Sequence, residues 1–218
     1  MKLSLDRNDL ADYVSCQTEN FFPDKRSGIR EAIVRHLDRT LERVAYCFSK
    51  IDVKYFREGD DVFFNHLHGD HYAMFLYLLS NTIHRASGDP AACAKLFQLN
   101  RALHGIDAFY EVELPEIFLF VHPLGTVLGR ASYANYFLVY QQCNVGSNKN
   151  VYPTLKEYVS LHPGASVLGS CVVEENCTIG AGSLLLDRNL EKNSVYVGNP
   201  KSFSIKESAE RNPIWTLN

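Results

Sequence analysis

A surplus of charge of either sign is missing from this sequence. The 22 lysines and arginines stand against 25 acids, a formal net charge of −3. Nothing therefore drives nonspecific attachment to a phosphate backbone, and nucleic acid is not an expected partner. Long apolar runs are missing too. The longest, Tyr72–Leu79, is far shorter than the roughly 20 residues that cross a bilayer. Asp6, Arg7 and Asp9 interrupt any secretory apolar segment near the start. The expectation is a chain with no membrane span and a cytoplasmic location. Close cysteine pairs are also absent: Cys16, Cys47, Cys93, Cys143, Cys171 and Cys177 are scattered, which reads as reduced structural thiols with no metal site.

What is present is an ordinary globular composition, with 46% hydrophobic and 22% charged residues, which argues against disorder and low-complexity assemblies. A length of 218 residues suits two packed parts. Between Arg26 and Lys50, Ile29, Ile33, Leu37, Leu41, Val44 and Phe48 recur every three or four places, the pattern of an amphipathic helix. A second apolar-rich segment, Tyr72–Ala86, is stopped by Ser87-Gly88-Asp89-Pro90, and Asp89 with Pro90 offers the cap and first turn of a third helix ending near Gly105. Residues 1–105 are thus expected to form a helical domain.

Beyond Gly105 the texture changes. Leu155, Leu161, Val167, Val173, Ile179 and Leu185 keep a period of six over six units, and Val159, Ala165, Cys171, Cys177, Ser183 and Asn189 stand four places after each. A period of six fits a coil of short parallel strands in which every sixth side chain points inward, with three units to a triangular turn. The fourth place lies at a tight corner and must be compact, and Gly169, Gly180 and Gly182 are expected to give backbone freedom at the turns. Leu114–Gly146 has the same texture in a less regular phase, with Leu128-Gly129 and Val145-Gly146 as its clearest units and a non-repeating insert at Ser147–Asn150. About five turns are expected over residues 106–200, followed by a tail, 201–218.

Within that repeat, Val121-His122-Pro123-Leu124-Gly125-Thr126-Val127-Leu128-Gly129 resembles the serine acetyltransferase branch of the hexapeptide-repeat acyltransferases. Tyr152-Pro153-Thr154-Leu155, Ile179-Gly180-Ala181-Gly182-Ser183 and Val197-Gly198-Asn199-Pro200-Lys201 resemble later segments of that family. The resemblance is good from Asp107 to Lys201 and loose before it. It implies an α+β chain, with a helical N-terminal domain followed by a left-handed parallel β-helix. It implies a homotrimer with active sites in grooves between neighbouring coils, and acetyl-CoA as co-substrate. His122 falls on the family's catalytic histidine and Asp107 on its orienting aspartate. The chemistry needs such a pair, since an acceptor hydroxyl or amine must lose a proton as it attacks, and a carboxylate behind the imidazole fixes its tautomer. Gly146, Ser147, Pro163, Ala181 and Gly182 match positions along the family's CoA arm, and Lys201 could meet its phosphates.

Two departures bear on the acceptor. Val121 stands where serine-specific members have an acid, and Tyr152 where they have a second histidine. Together with Tyr133, Tyr136 and Tyr140, Tyr152 suggests a sugar or nucleotide-linked sugar as acceptor, with serine as the alternative and Tyr133 and Tyr152 as acceptor contacts. Of the three coil cysteines two occupy repeat corners and Cys143 has no evident base, so direct transfer without an acyl-enzyme is expected. Two other readings compete. His66-Leu67-His68-Gly69-Asp70-His71 fits the His-x-His-x-Asp-His signature of metallo-β-lactamase-like zinc hydrolases, although the helix before it and the repeat after it favour a helix-entry loop with Asp70 as cap. A non-catalytic trimer would show no thermal stabilisation by acetyl-CoA.

Overall fold

The first helix starts where a carboxylate can cap it. In the computed structural model, which describes residues 1–24, 28–86, 88–208 and 210–216, the Asp6 carboxylate accepts the Asp9 N–H at 2.9 Å and α1 runs over Arg7–Phe21. It buries Leu10, Ala11 and Val14, and also Ser15 and Thr18, whose hydroxyls donate to carbonyls one turn back. α2 (Ile29–Ser49) buries the whole expected stripe from Ile29 to Phe48. α3 (Gly69–Arg85) is buried on every side from Asp70 to Ile83, so its apolar run reflects enclosure and not amphipathicity. α4 (Pro90–His104) begins as expected, with Asp89 accepting the Ala91 N–H at 2.8 Å. A small sheet joins β1 (Lys2–Leu3) to β3 (Asp61–Phe64) in parallel, and β3 to β2 (Arg57–Glu58) antiparallel. These four helices and three strands belong to one unit, which among the described residues comprises Met1–His104, Phe109–Glu111 and Thr216. Ser87 of the expected helix stop, Arg26 at the start of the α2 stripe, and Ala209, Leu217 and Asn218 of the tail lie outside the described residues.

The second unit comprises Gly105–Ala108 and Val112–Trp215, and it is a left-handed parallel β-helix of five turns. The turns are written in strands of two or three residues until the last, where β16 has six. The first turn has β4 (Asp107–Ala108) and β5 (Phe118–Phe120), and the second β6 (Val127–Leu128), β7 (Ser132–Tyr133) and β8 (Phe137–Val139). The third has β9 (Asn144–Gly146), β10 (Thr154–Leu155) and β11 (Ser160–Leu161), and the fourth β12 (Ser166–Leu168), β13 (Val172–Val173) and β14 (Thr178–Ile179). The last has β15 (Leu184–Leu186), a bridge at Leu190 and β16 (Ser194–Asn199). Stacking yields three parallel sheets: β4-β6-β9-β12-β15, β7-β10-β13 and β5-β8-β11-β14-β16. β17 (Ser202–Glu207) then turns back antiparallel to β16.

The six aliphatic residues at the six-residue period are all at most 1% exposed, and the compact residues from Val159 to Ser183 are buried at the corners. Each inward aliphatic contributes on the order of 1.5–3 kcal/mol of apolar burial. Corner thiols find carbonyl acceptors: Cys177 Sγ meets the Glu191 oxygen at 3.1 Å and Cys171 Sγ the Leu168 oxygen at 3.2 Å. Asn189 ends the pattern by turning outward and accepting the Val172 N–H at 2.8 Å. Gly169 and Gly182 have left-handed φ of 80° and 66°, as expected of turn glycines. Gly180 differs. Its φ is ordinary, and a β-carbon there would sit 2.9 Å from Val197 Cγ2, so close packing and not turn freedom explains it.

The insert is a tight two-residue hairpin. Asn148 and Val151 exchange both backbone hydrogen bonds, and Lys149 and Asn150 both have positive φ, the signature of a type I′ turn. Asn148 Nδ2 also donates to Asp187 Oδ2 at 2.6 Å, while Asp187 Oδ1 accepts the Ser170 N–H at 2.8 Å. These two hydrogen bonds hold the Asp187 carboxyl below its ordinary pKa.

Candidate active site

The corner that carries His122 is longer than the one stacked on it. Six residues, 121–126, separate Phe120 from Val127, whereas four, 140–143, separate their partners Val139 and Asn144. The extra chain lets His122 take a left-handed φ of 47° and stand exposed, with its carbonyl accepting the Leu124 N–H at 2.7 Å. The loop is fastened on both sides. Val121 N–H donates to Val139, Gly125 N–H to Gly105, and Asp107 N–H to Thr126, all within 2.9 Å. Thr126, wholly buried, donates its hydroxyl to the Tyr140 carbonyl at 2.7 Å. The same corner thus holds His122 in the loop and half-buried Asp107 on the strand bonded to it. An imidazole in the open with a carboxylate on the adjoining rung is an arrangement suited to proton transfer.

A line of backbone bonds runs up this edge: Gln142 N–H to Leu124, Gly164 N–H to Gln141, and Gly182 N–H to Pro163, each at 2.9 Å. Pro163, Ala181 and Gly182 therefore share the edge with His122, and a β-carbon at Gly182 would meet nothing within 4 Å. Gly146 and Ser147 are placed apart from them, at the other end of β9, where the Gly146 carbonyl accepts the Gly169 N–H at 3.0 Å. Lys201 is exposed in the β16–β17 turn, its N–H bonded to Asn199 Oδ1 at 3.0 Å. His162 also lies on this edge, one rung beyond Tyr140. Its N–H pairs with Ile179, its ring lies 5.4 Å from that of Tyr140, and burial lowers its pKa. Counting rungs from Val121 through Tyr140 to His162 would have found it.

No family model matches the chain. A serine acetyltransferase of Synechococcus elongatus is 32% identical over 125 residues, covering 55% of this chain and 50% of that protein. The chain spans about half the length of the curated relatives it matches. The solved serine acetyltransferase of Neisseria gonorrhoeae superposes with a TM-score of 0.69 at 17% identity, over 94% of this chain and 80% of that one. The chain is serine acetyltransferase-like in sequence and in fold. A serine acetyltransferase solved in complex with CoA has a TM-score of 0.64 at 18% identity, covering 82% of this chain and 74% of that one.

On this serine acetyltransferase-like frame the tyrosines do not converge on an acceptor platform. Tyr133 takes the inward place of its rung, in register with Leu155, packs 5.1 Å from Phe137 and donates its hydroxyl to the Gly129 carbonyl at 2.8 Å. Tyr136 stacks on Tyr158 at 4.2 Å on a different edge, and Tyr152 is 42% exposed after the insert. Tyr133 is thus half-buried and engaged by Phe137 and Gly129, and the comparisons lend the sugar acceptor no support.

The zinc-hydrolase signature does not assemble. His66 Nδ1 lies 2.8 Å from Ser4 Oγ, while His71 is wholly buried among Phe48, Phe56 and Phe64 and stacked 4.2 Å from His68. Among the described residues no group of three or more metal-binding side chains comes together. Asp70 is also not the cap expected of it: α3 starts at Gly69 with His68 at the cap position, which leaves Asp70 inside the first turn. No helix among the described residues is long and apolar enough to cross a membrane.

Proposed function

We propose that this protein is an acetyl-CoA-dependent acetyltransferase whose solenoid, residues 106–200, carries the chemistry, and that it acetylates the hydroxyl of serine. The helical domain of residues 1–105 and the tail 201–218 flank that catalytic domain. The observation that supports it most is the placement of His122 and Asp107 on one fastened corner at the foot of the bare edge formed by Pro163, Ala181 and Gly182. Serine is preferred to a sugar because the curated relatives are serine acetyltransferases and the half-buried Tyr133 already spends its hydroxyl on the Gly129 carbonyl.

In this reading His122 accepts the serine proton as the hydroxyl oxygen attacks the thioester carbonyl, and Asp107 orients the ring. Collapse of the tetrahedral intermediate breaks the carbon–sulfur bond, and the imidazolium returns the proton to the departing CoA sulfur. The products are O-acetylserine and CoA. Transfer is direct, for burial pushes the Cys143, Cys171 and Cys177 thiols up and away from the reactive thiolate form. Acetyl-CoA lies along the edge, touched by Pro163, Ala181 and Gly182, with Gly146, Ser147 and Lys201 meeting it from a neighbouring copy in a cytoplasmic homotrimer.

The test is CoA thiol release from acetyl-CoA with serine, measured against a panel of sugars and nucleotide sugars. Serine turnover is expected, and His122→Ala should lower it about 10²–10⁴-fold without changing trimer size. Turnover on sugars alone, or an undiminished variant, overturns the reading. Failure of acetyl-CoA to raise the melting temperature returns the non-catalytic trimer.

A further inference from the structure

The edge that starts at His122 carries one imidazole outside the proton-transfer pair. Val121, Tyr140 and His162 occupy equivalent places on successive rungs, for their N–H groups donate to Val139, Leu161 and Ile179 at 2.9, 3.1 and 3.0 Å. Val139 and Leu161, the residues just before Tyr140 and His162, are wholly buried in the coil. Alternation along a strand therefore turns the rings of Tyr140 and His162 to its outer surface. There they lie 5.4 Å apart, both half-buried. The His162 backbone is held as well, its carbonyl accepting the Ala165 N–H at 2.9 Å and the Cys143 thiol at 3.1 Å.

Backbone donors are scarce along this edge. The N–H groups of Gln142, Gly164 and Gly182 are each spent on the neighbouring rung, and Pro163 has none. A molecule lying here must take hydrogen bonds from side chains. The His162 ring has no hydrogen-bond partner among the described residues and keeps both nitrogens for one. Burial lowers its pKa, so at neutral pH the ring is uncharged and offers one donor nitrogen and one acceptor nitrogen. That pair complements a secondary amide, which has one carbonyl and one N–H. A carboxylate or a phosphate, with acceptors only, would leave the acceptor nitrogen unmatched.

We infer that His162, backed by Tyr140, binds the pantetheine arm of acetyl-CoA at the second of its two amides, an inference that rests on the acetyl-transfer reading. The reach agrees. From Val121, beside His122, two rungs cover about 10 Å. By ordinary bond lengths the second amide nitrogen of the arm is about 9 Å from the thioester sulfur. With the thioester at His122, that amide comes level with His162, and the arm passes Pro163, the next residue in the chain. His162 is thus a binding residue that selects the longer arm, with no part in moving the proton.

The experiment uses the full chain with CoA, followed by calorimetry and by NMR of the His162 ring. CoA is expected to shift the ring signals of the wild-type protein. His162→Phe, which keeps a ring but removes both nitrogens, should weaken CoA binding about 5-fold. His162→Gln, which keeps a donor and an acceptor, should stay near the wild-type affinity. Thioesters of two lengths give the second readout. Wild-type protein should prefer S-acetylpantetheine to S-acetyl-N-acetylcysteamine, which ends before the second amide, and His162→Phe should lose about 5-fold of that preference in kcat/KM. Ring signals that CoA leaves in place, a His162→Phe variant with wild-type affinity, a His162→Gln variant as weak as His162→Phe, or equal losses on the two thioesters overturn the contact and leave acetyl transfer standing. Wild-type protein that does not bind CoA overturns both.

Discussion

His71 in the helical unit and Val167 in the solenoid are both wholly buried, yet they are held in different ways. Val167 occupies a slot repeated above and below it by Leu185 and Val145 in strict register. His71 has a neighbourhood of its own, with rings of Phe48, Phe56 and His68 within 5 Å and its Nδ1 accepting the Asn65 N–H at 3.2 Å. The solenoid is stabilised by rung-to-rung identity, the helical unit by particular contacts. A fault in the first should therefore spread along a stack, whereas a fault in the second should stay local.

The sharpest way to break that contrast is Gly169→Val. A β-carbon there would collide with Asp187 and lie 2.7 Å from Asn148 Cβ, at a φ of 80°. The loss should be about 3 kcal/mol, read as an early transition of Trp215 fluorescence while helical circular dichroism persists. Trp215, the single tryptophan, is in the solenoid unit and is buried. Simultaneous loss of both signals would deny the units their separate behaviour.

Acid should act on the other unit. Burial lowers the His71 pKa to about 3, the second cause being His68. The unfolded chain then binds more protons than the folded one between about pH 6.5 and pH 3. Stability is full above about pH 6.5 and falls on acidification by up to about 1.4 kcal/mol per pH unit until the folded value is reached. His71→Phe should flatten that slope in the helical signal. An unaltered slope would show that the imidazole is not the group responsible.

A smaller effect is expected at a helix start. Asp89→Ala removes the acceptor of the Ala91 N–H and should cost about 1 kcal/mol, detected by urea denaturation of the helical signal. The smallest belongs to the surface of the solenoid, where Glu175 pairs with Arg211 at 2.7 Å with both side chains more than 40% exposed. Glu175→Gln should change stability by no more than about 0.5 kcal/mol.

The same contrast explains what the sequence could reveal. From Leu155 to Leu185 each inward slot demands one kind of side chain at one interval, so the coil was legible residue by residue. Upstream the rungs change length: Asp107 to Val127, Val127 to Asn144 and Asn144 to Ser166 are 20, 17 and 22 residues apart, against 18 from Ser166 to Leu184. The long His122 corner and the Asn148–Val151 hairpin disturb the phase there. α1 is hidden in the sequence because Ser15 and Thr18 fill core positions by bonding to their own helix, which breaks the apolar stripe, and only Asp6 marks its start. His122 and Asp107 were picked out by resemblance. Only the hydrogen bonds of Gly125 and Thr126 show the corner they share, and the inward turn of Tyr133 is a matter of register that an aromatic count cannot foresee.

The return strand β17 also decides what the coil can join. A stack of parallel rungs offers its last rung as a template for another molecule's first. Here the β16 side of that rung is already taken by a strand running the opposite way, and all six residues of β17, Lys206 and Glu207 among them, are exposed. A coil adding in parallel to that side would meet reversed polarity and charge, so one of the three sheets is closed to end-to-end addition.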